Sequence, residues 1–219
     1  MHSDAAKPLR WILLGLCLSI LSGCALLIPE PAPPPAYHIL TPVPEAEGVA
    51  GERQGRPERN AARGGPVVGV APVSVPDYLD APQIVVRTTP NTLERADFHV
   101  WAAPLADNFA RVLADNLGAM IRTDRVIMLP GGTFLRTDFQ VAVDVSKFER
   151  DVDGNATLVA RWSLFGEDGA NLIAMRRSVF RQPAPADDYD AIVAALSKTV
   201  AQLSEEIAAA IGSRRRAGV

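Results

Sequence analysis

The sequence predicts an α+β domain of two layers, with a largely antiparallel or mixed sheet packed by two amphipathic helices. Three observations carry this. The segments Leu105–Ile121 and Ile192–Ile211 place apolar residues on one helical stripe. The region between them alternates apolar and polar residues and is broken by turn residues. The resulting order of strands, helix, strands, helix suits helices laid on one sheet.

Tyr37-His38-Ile39-Leu40 is a short strand candidate. Val67-Val68-Gly69-Val70-Ala71 is an apolar run bounded by Gly-Gly-Pro and Pro72, which predicts a buried strand. Gln83–Thr88 and Leu93–Val100 continue the β region. Pro104 sits where a first helical residue is expected. Behind it Leu105, Phe109, Val112, Leu113, Leu117, Met120 and Ile121 share a face that reads as core. Val126–Leu129 is another short strand. Phe139, Val141, Val143 and Val145 then alternate with polar or small residues, Asp153-Gly154-Asn155 turns the chain, and Leu158, Ala160, Trp162 and Leu164 alternate again. After the turn Glu167-Asp168-Gly169, Leu172–Phe180 completes a three-strand meander. In the last helix Ile192, Val193, Leu196, Val200, Leu203, Ile207 and Ile211 form the stripe, Asp187 or Asp188 offers an N-cap, and Gly212 offers a stop.

The first residues read as an address. Lys7 and Arg10 precede the apolar run Trp11–Leu18, which continues through Ser19-Ile20-Leu21 to the small residues Ser22 and Gly23. That is the build of a secretory signal. Leu21-Ser22-Gly23-Cys24 also resembles the bacterial lipobox, which implies cleavage before Cys24 and diacylglycerol on its sulfur. The competing reading is a membrane span, since Trp11–Ile28 reaches the minimum length of roughly 18 residues. Ser22 and Gly23 interrupt that span where a cut site requires small residues. Ala25 stands where lipoproteins of the enteric type retained at the inner membrane usually carry Asp, so the resemblance points to the outer membrane. Residues 29–35 then hold five prolines in seven positions, a stiff spacer. From Pro42 to Pro66 large apolar residues are nearly absent, so a mobile loop is expected. The division is therefore a signal over 1–23, a Pro-rich tether over 24–36, a domain over 37–212 with its loop at 42–66, and a basic tail over 213–219.

Composition narrows the chemistry. The 219 residues carry a formal charge of −3, which offers no general field for nucleic acid. The two cysteines, Cys17 and Cys24, both lie in the leader region, so the domain has no disulfide, thiol nucleophile or cysteine metal site. The three histidines are His2, His38 and His99, and the latter two lie in different strand candidates without a second ligand at metal spacing. No G-x-S-x-G, H-E-x-x-H or phosphate-loop motif occurs. The expectation is a protein without catalytic residues, metal or cofactor, apart from the lipid on Cys24.

The stretch Val70–Val85 carries more. Pro72, Pro76 and Pro82 fix its backbone and lower the cost of ordering it. Tyr78 and Leu79 either project as a preorganised contact surface or fold back to cap the core. Asp77 and Asp80 form a close acidic pair beside them. Val67–Val85, Phe98–Leu105 and Phe109–Leu117 resemble the PqiC family, the auxiliary lipoproteins of ABC-type and MCE lipid-transport systems. The pieces stand in family order: lipobox, Tyr37-His38-Ile39-Leu40-Thr41-Pro42, Pro76-Asp77-Tyr78-Leu79-Asp80, and a Trp101-Ala-Ala-Pro-Leu105 helix entry. The Arg-rich insertion from Gly48 to Gly65 departs from that pattern.

The resemblance implies a non-enzymatic outer-membrane lipoprotein that docks a periplasmic MCE protein, whose other end meets an inner-membrane complex. The expected contact is Pro76, Asp77, Tyr78, Leu79, Asp80, Pro82 and Gln83, with Cys24 as the tether. Homo-oligomerisation is implied because MCE partners of this kind resemble ring-forming proteins. Three other readings remain open here: a carrier holding lipid in its own cavity, a hydrolase using Asp77 or Asp80, and an adaptor working through Arg214, Arg215 and Arg216. For those arginines the plainer role is to complement the helix dipole.

Overall fold

The computed structural model describes residues 32–43, 65–130, 136–166 and 169–216. The signal, the lipobox with Cys24, and most of the expected mobile loop lie outside the described residues. The chain divides after Pro34, and the fold concerns the unit from Pro35 to Val219.

Eight strands and two helices follow in order: β1 Ala36–His38, β2 Val68–Val70, β3 Gln83–Thr89, β4 Thr92–Trp101, α1 Leu105–Ile121, β5 Val126–Met128, β6 Phe139–Arg150, β7 Asn155–Gly166, β8 Asn171–Pro183 and α2 Tyr189–Arg216. The expected α+β class is what forms, and the sheet is mixed. β6 is its axis. One side of β6 pairs antiparallel with β7 along its whole length, and β7 pairs with β8. The other side takes parallel β2 at Phe139–Val141 and parallel β3 only at Arg150. β5 extends the sheet beyond β2, while β4 and then β1 extend it beyond β3.

The alternation in the meander decides which face is covered. Val141, Val143, Val145 and Phe148 of β6 and Leu158, Ala160, Trp162 and Leu164 of β7 are buried, and so are Ile192, Leu196, Val200, Leu203, Ile207 and Ile211 along α2. On α1, Leu105, Phe109, Val112, Leu113 and Leu117 are buried, and Phe109 meets Phe148 edge to face at 5.4 Å between ring centres. Trp162 is fully enclosed, and its indole N–H donates to Ser178 Oγ at 3.2 Å.

Two helix boundaries differ from expectation. Pro104 occupies the N-cap position with extended backbone, and Leu105 is the first helical residue. Gly212 does not stop α2, which runs on through Arg216. Ile211 is fully buried just before it, and the three arginines of the last turn favour the negative end of the helix dipole, so packing and charge carry the helix past the glycine. The N-cap is Asp188, whose Oδ1 accepts from Ala191 N at 2.9 Å. At the β6–β7 turn Gly154 adopts φ 81°, a conformation that glycine takes without strain. In β2 a side chain at Gly69 would meet Leu129 Cδ1 at 2.8 Å, which explains a glycine in a buried strand.

Asp151 organises that same turn. Its carboxylate accepts from Thr157 Oγ1 at 2.6 Å, Asn155 N at 2.9 Å and Asp153 N at 3.1 Å. Burial alone raises its pKa, but these hydrogen bonds and the charge of Lys147 outweigh burial and hold it below the usual carboxylate value. A lowered folded pKa contributes stability that is complete above the unfolded value of about 3.9 and is lost as pH falls through the folded one. Asp151→Asn is therefore expected to melt below wild type at pH 7, with the gap closing as pH is lowered from 5 to 3; melting temperature against pH checks it. Trp162→Ala should lose about 3–5 kcal/mol in urea unfolding, because it empties the largest fully buried site beneath α2.

Candidate functional site

The proline-rich crossover from β2 to β3 is held throughout. Ala71 N and Ser74 N donate to Val141 O and Val143 O, at 2.9 and 3.1 Å, so its first half runs along β6. Leu79 N and Asp80 N both donate to Pro76 O, at 2.9 and 3.3 Å, closing a turn over Asp77-Tyr78. Pro82 O accepts from Trp101 N at 2.7 Å, which fixes the exit into β3.

Of the two directions open to Tyr78 and Leu79, both residues fold back. Leu79 is 2% exposed and belongs to the core. Tyr78 is half-buried, and its hydroxyl donates to Glu149 Oε2 at 2.8 Å. Asp77, Asp80 and Pro82 are exposed, whereas Pro76 and Gln83 are half-buried. The crossover therefore presents two carboxylates and a proline ring from a backbone pinned by apolar anchors.

Glu149, 0% exposed, is the centre of this arrangement. Arg87 Nε of β3 donates to its Oε1, and Lys147 Nζ lies 3.7 Å from the same oxygen. Burial, and then the hydrogen bond to Glu149, push the Tyr78 phenol above its usual pKa, and the same carboxylate raises that of Arg87. The sequence shows Glu149 only as one residue of an expected strand, because its partners lie 62 and 71 positions away.

A second constellation joins residues whose sequence positions gave no hint of contact. β1 pairs with β4 in the register Ala36↔His99 and His38↔Trp101. This brings His38 Nε2 to 2.9 Å from His99 Nδ1, a contact that needs a proton on one facing nitrogen and a lone pair on the other. His38 Nδ1 lies 3.1 Å from Asp190 Oδ1, and Tyr189 stacks on His99 at 4.0 Å between ring centres. Burial, and then Glu94, Asp187 and Asp97, raise the Tyr189 pKa. No group of three or more His, Cys, Asp or Glu among the described residues is arranged to hold a metal.

The chain continues from β1 as a strap across the helices. Leu40 is buried, Thr41 N donates to Ser197 Oγ at 3.1 Å, and Val43 N donates to Asn116 Oδ1 at 2.8 Å. The Asn116 side chain is buried and reaches Ser204 Oγ of α2 through Nδ2 at 3.2 Å. Among the described residues no helix is long and apolar enough to cross a membrane.

Fold, strap and anchored crossover together define an α+β module whose strap is fastened to both helices. The chain belongs to the family of ABC-type transport auxiliary lipoprotein components, whose model matches residues 50–208. It is thus an auxiliary component of transport, a family not known for catalysis. Two crystal structures share the fold. One, of an uncharacterized protein, is 23% identical, with a TM-score of 0.62, covering 82% of this chain and 99% of its own. The other, from Xanthomonas campestris, is 22% identical, with a TM-score of 0.61, covering 84% and 97%. No curated protein matches the chain significantly.

Glu149→Ala should lose about 1.5–3 kcal/mol in urea unfolding, because Arg87 and Tyr78 both lose their hydrogen bond to its carboxylate. Tyr78→Phe, which removes only one hydrogen bond, should lose about 0.5–1.5 kcal/mol.

Proposed function

We propose that this chain is a non-enzymatic outer-membrane lipoprotein subunit of an envelope lipid-transport system, and that it docks a periplasmic MCE-domain protein. Cys24 is the acylated tether, and the prolines after it space the domain from the lipid surface. The exposed part of the Pro76–Gln83 crossover is the contact, with Asp77, Asp80 and Pro82 facing the partner. Tyr78 and Leu79 serve the contact from beneath by holding that backbone. A homo-oligomer of such modules would repeat the surface around the end of a conduit.

The observation that carries this reading is the crossover itself. It is rigid, it is braced by a buried carboxylate, and its two outward acids have no ion pair among the described residues. Preorganisation of that kind lowers the ordering cost of binding. Membership in a family of auxiliary transport lipoproteins supplies the setting. The carrier reading finds less support, because the space between α2 and the sheet is filled by Leu158, Ala160, Trp162, Leu164, Leu203 and Ile207, all at 0% exposure. A hydrolase using Asp77 or Asp80 would need a partner base, and both acids point outward from an exposed turn.

The test is crosslinked pull-down of the full-length protein from its native envelope, comparing wild type with Asp77→Lys/Asp80→Lys. These exposed positions leave the core intact, which substitutions at Tyr78 or Leu79 would not. Recovery of an MCE-type protein with wild type, reduced at least tenfold in the variant, is the expected result. Equal recovery with both moves the interface elsewhere, and no recovery with wild type removes the docking role.

A further inference from the structure

At the end of the sheet remote from β1, a cleft of about 810 Å³ opens between the last turn of α2 and the entry into β6. The remoteness follows from α2, along which Arg214 of this cleft stands about 36 Å from Asp190 at the His38 contact. Four arginines reach it from three separate segments: Arg125 after α1, Arg136 before β6, and Arg214 and Arg215 of α2. Asp138 is the one carboxylate among the described lining residues, which leaves a surplus of three positive charges, and its Oδ2 already accepts from Val67 N at 2.7 Å. Arg125 donates to Gly65 O at 3.1 Å, and no ion pair joins Arg136, Arg214 or Arg215 to another described residue.

Gathering like charges in one concavity costs free energy unless something offsets it. The helix dipole offsets only part, since a helix C-terminus carries about half a negative charge. That partial charge is shared by all the guanidinium groups at the cleft, Arg136 included, and falls short of their surplus. Phe139 and Ile173 give the cleft an apolar wall beside the guanidinium groups. Guanidinium groups bind phosphate through paired N–H donors, and an apolar wall suits a ligand with a hydrocarbon part.

We propose that this cleft binds a phosphate group, with Arg136 and Arg214 as principal contacts and Arg125 and Arg215 completing the positive rim. The phosphate belongs either to a lipid headgroup whose glycerol and first methylenes lie on Phe139 and Ile173, or to a soluble phosphate. The site stands apart from the docking surface and does not depend on it.

Full-length protein in dodecyl maltoside, titrated calorimetrically at low salt with dihexanoyl phosphatidic acid and separately with inorganic phosphate, tests the assignment. Saturable binding of the lipid is expected, weakened at least tenfold in Arg136→Gln/Arg214→Gln. Circular dichroism of that variant should match wild type, because Arg136 is exposed and Arg214 lies in the last turn of α2. Lipid binding much tighter than phosphate binding identifies a lipid ligand; comparable binding of both, with both weakened in the variant, identifies a soluble one. Arg177→Gln/Arg181→Gln removes equal charge from β8 at a separate cleft and should bind as wild type. Three results would overturn the proposal. The first is no saturable binding of either probe. The second is unchanged affinity in Arg136→Gln/Arg214→Gln, and the third is an equal loss in the β8 control.

Discussion

The buried carboxylate of Glu149 is the constraint on which the rest of the architecture turns. β3 meets β6 only at Val86↔Arg150, so the β3–β4 hairpin and the β1 strand beyond it hang from the body by a short ladder. Glu149, the neighbour of that contact on β6, takes Arg87 from β3 and Tyr78 from the crossover. A charge with no exposure is tolerable only where it is paired and hydrogen-bonded. Satisfying this one group therefore fixes the hairpin, the crossover and the strand axis against one another.

The same joint connects the two ends of the functional reading. The crossover that offers Asp77 and Asp80 outward is braced through Tyr78, while the strap enters through β1 on the far edge of the hairpin that Arg87 holds. A family of transport auxiliaries needs such a body more than it needs a reactive centre.

Much of this was legible in the sequence wherever short-range periodicity sets structure. The stripes of α1 and α2 and the alternation of β6 and β7 each repeat within a window that one element spans. The failures have a common physical cause. At Gly212 the local signals conflict: the glycine reads as a stop, while Ile211 on the stripe and the arginines after it favour continuing, and packing decides between them. The direction of Tyr78 depends on a carboxylate 71 residues later, and the meeting of His38 with His99 depends on a parallel register between β1 and β4. The arginines of α2 read as a helix tail until Arg136 is placed beside them. The three prolines around Tyr78 and Leu79 mark the crossover in the sequence. Which of its side chains face out is settled by tertiary contacts, beyond the reach of local pattern.

The strap has a mechanical consequence. Tension applied at Pro35 along β1 loads its ladder to β4 in shear, so the three paired residues share the force instead of parting one at a time. The His38 side chain, wedged between His99 and Asp190, acts as a barb on that line. Behind it, Thr41 on Ser197 and Val43 on Asn116 form two further stops, seated in the helices and not in the sheet. A leash fastened in this way carries load into both layers of the domain, and the domain can be pulled without being peeled.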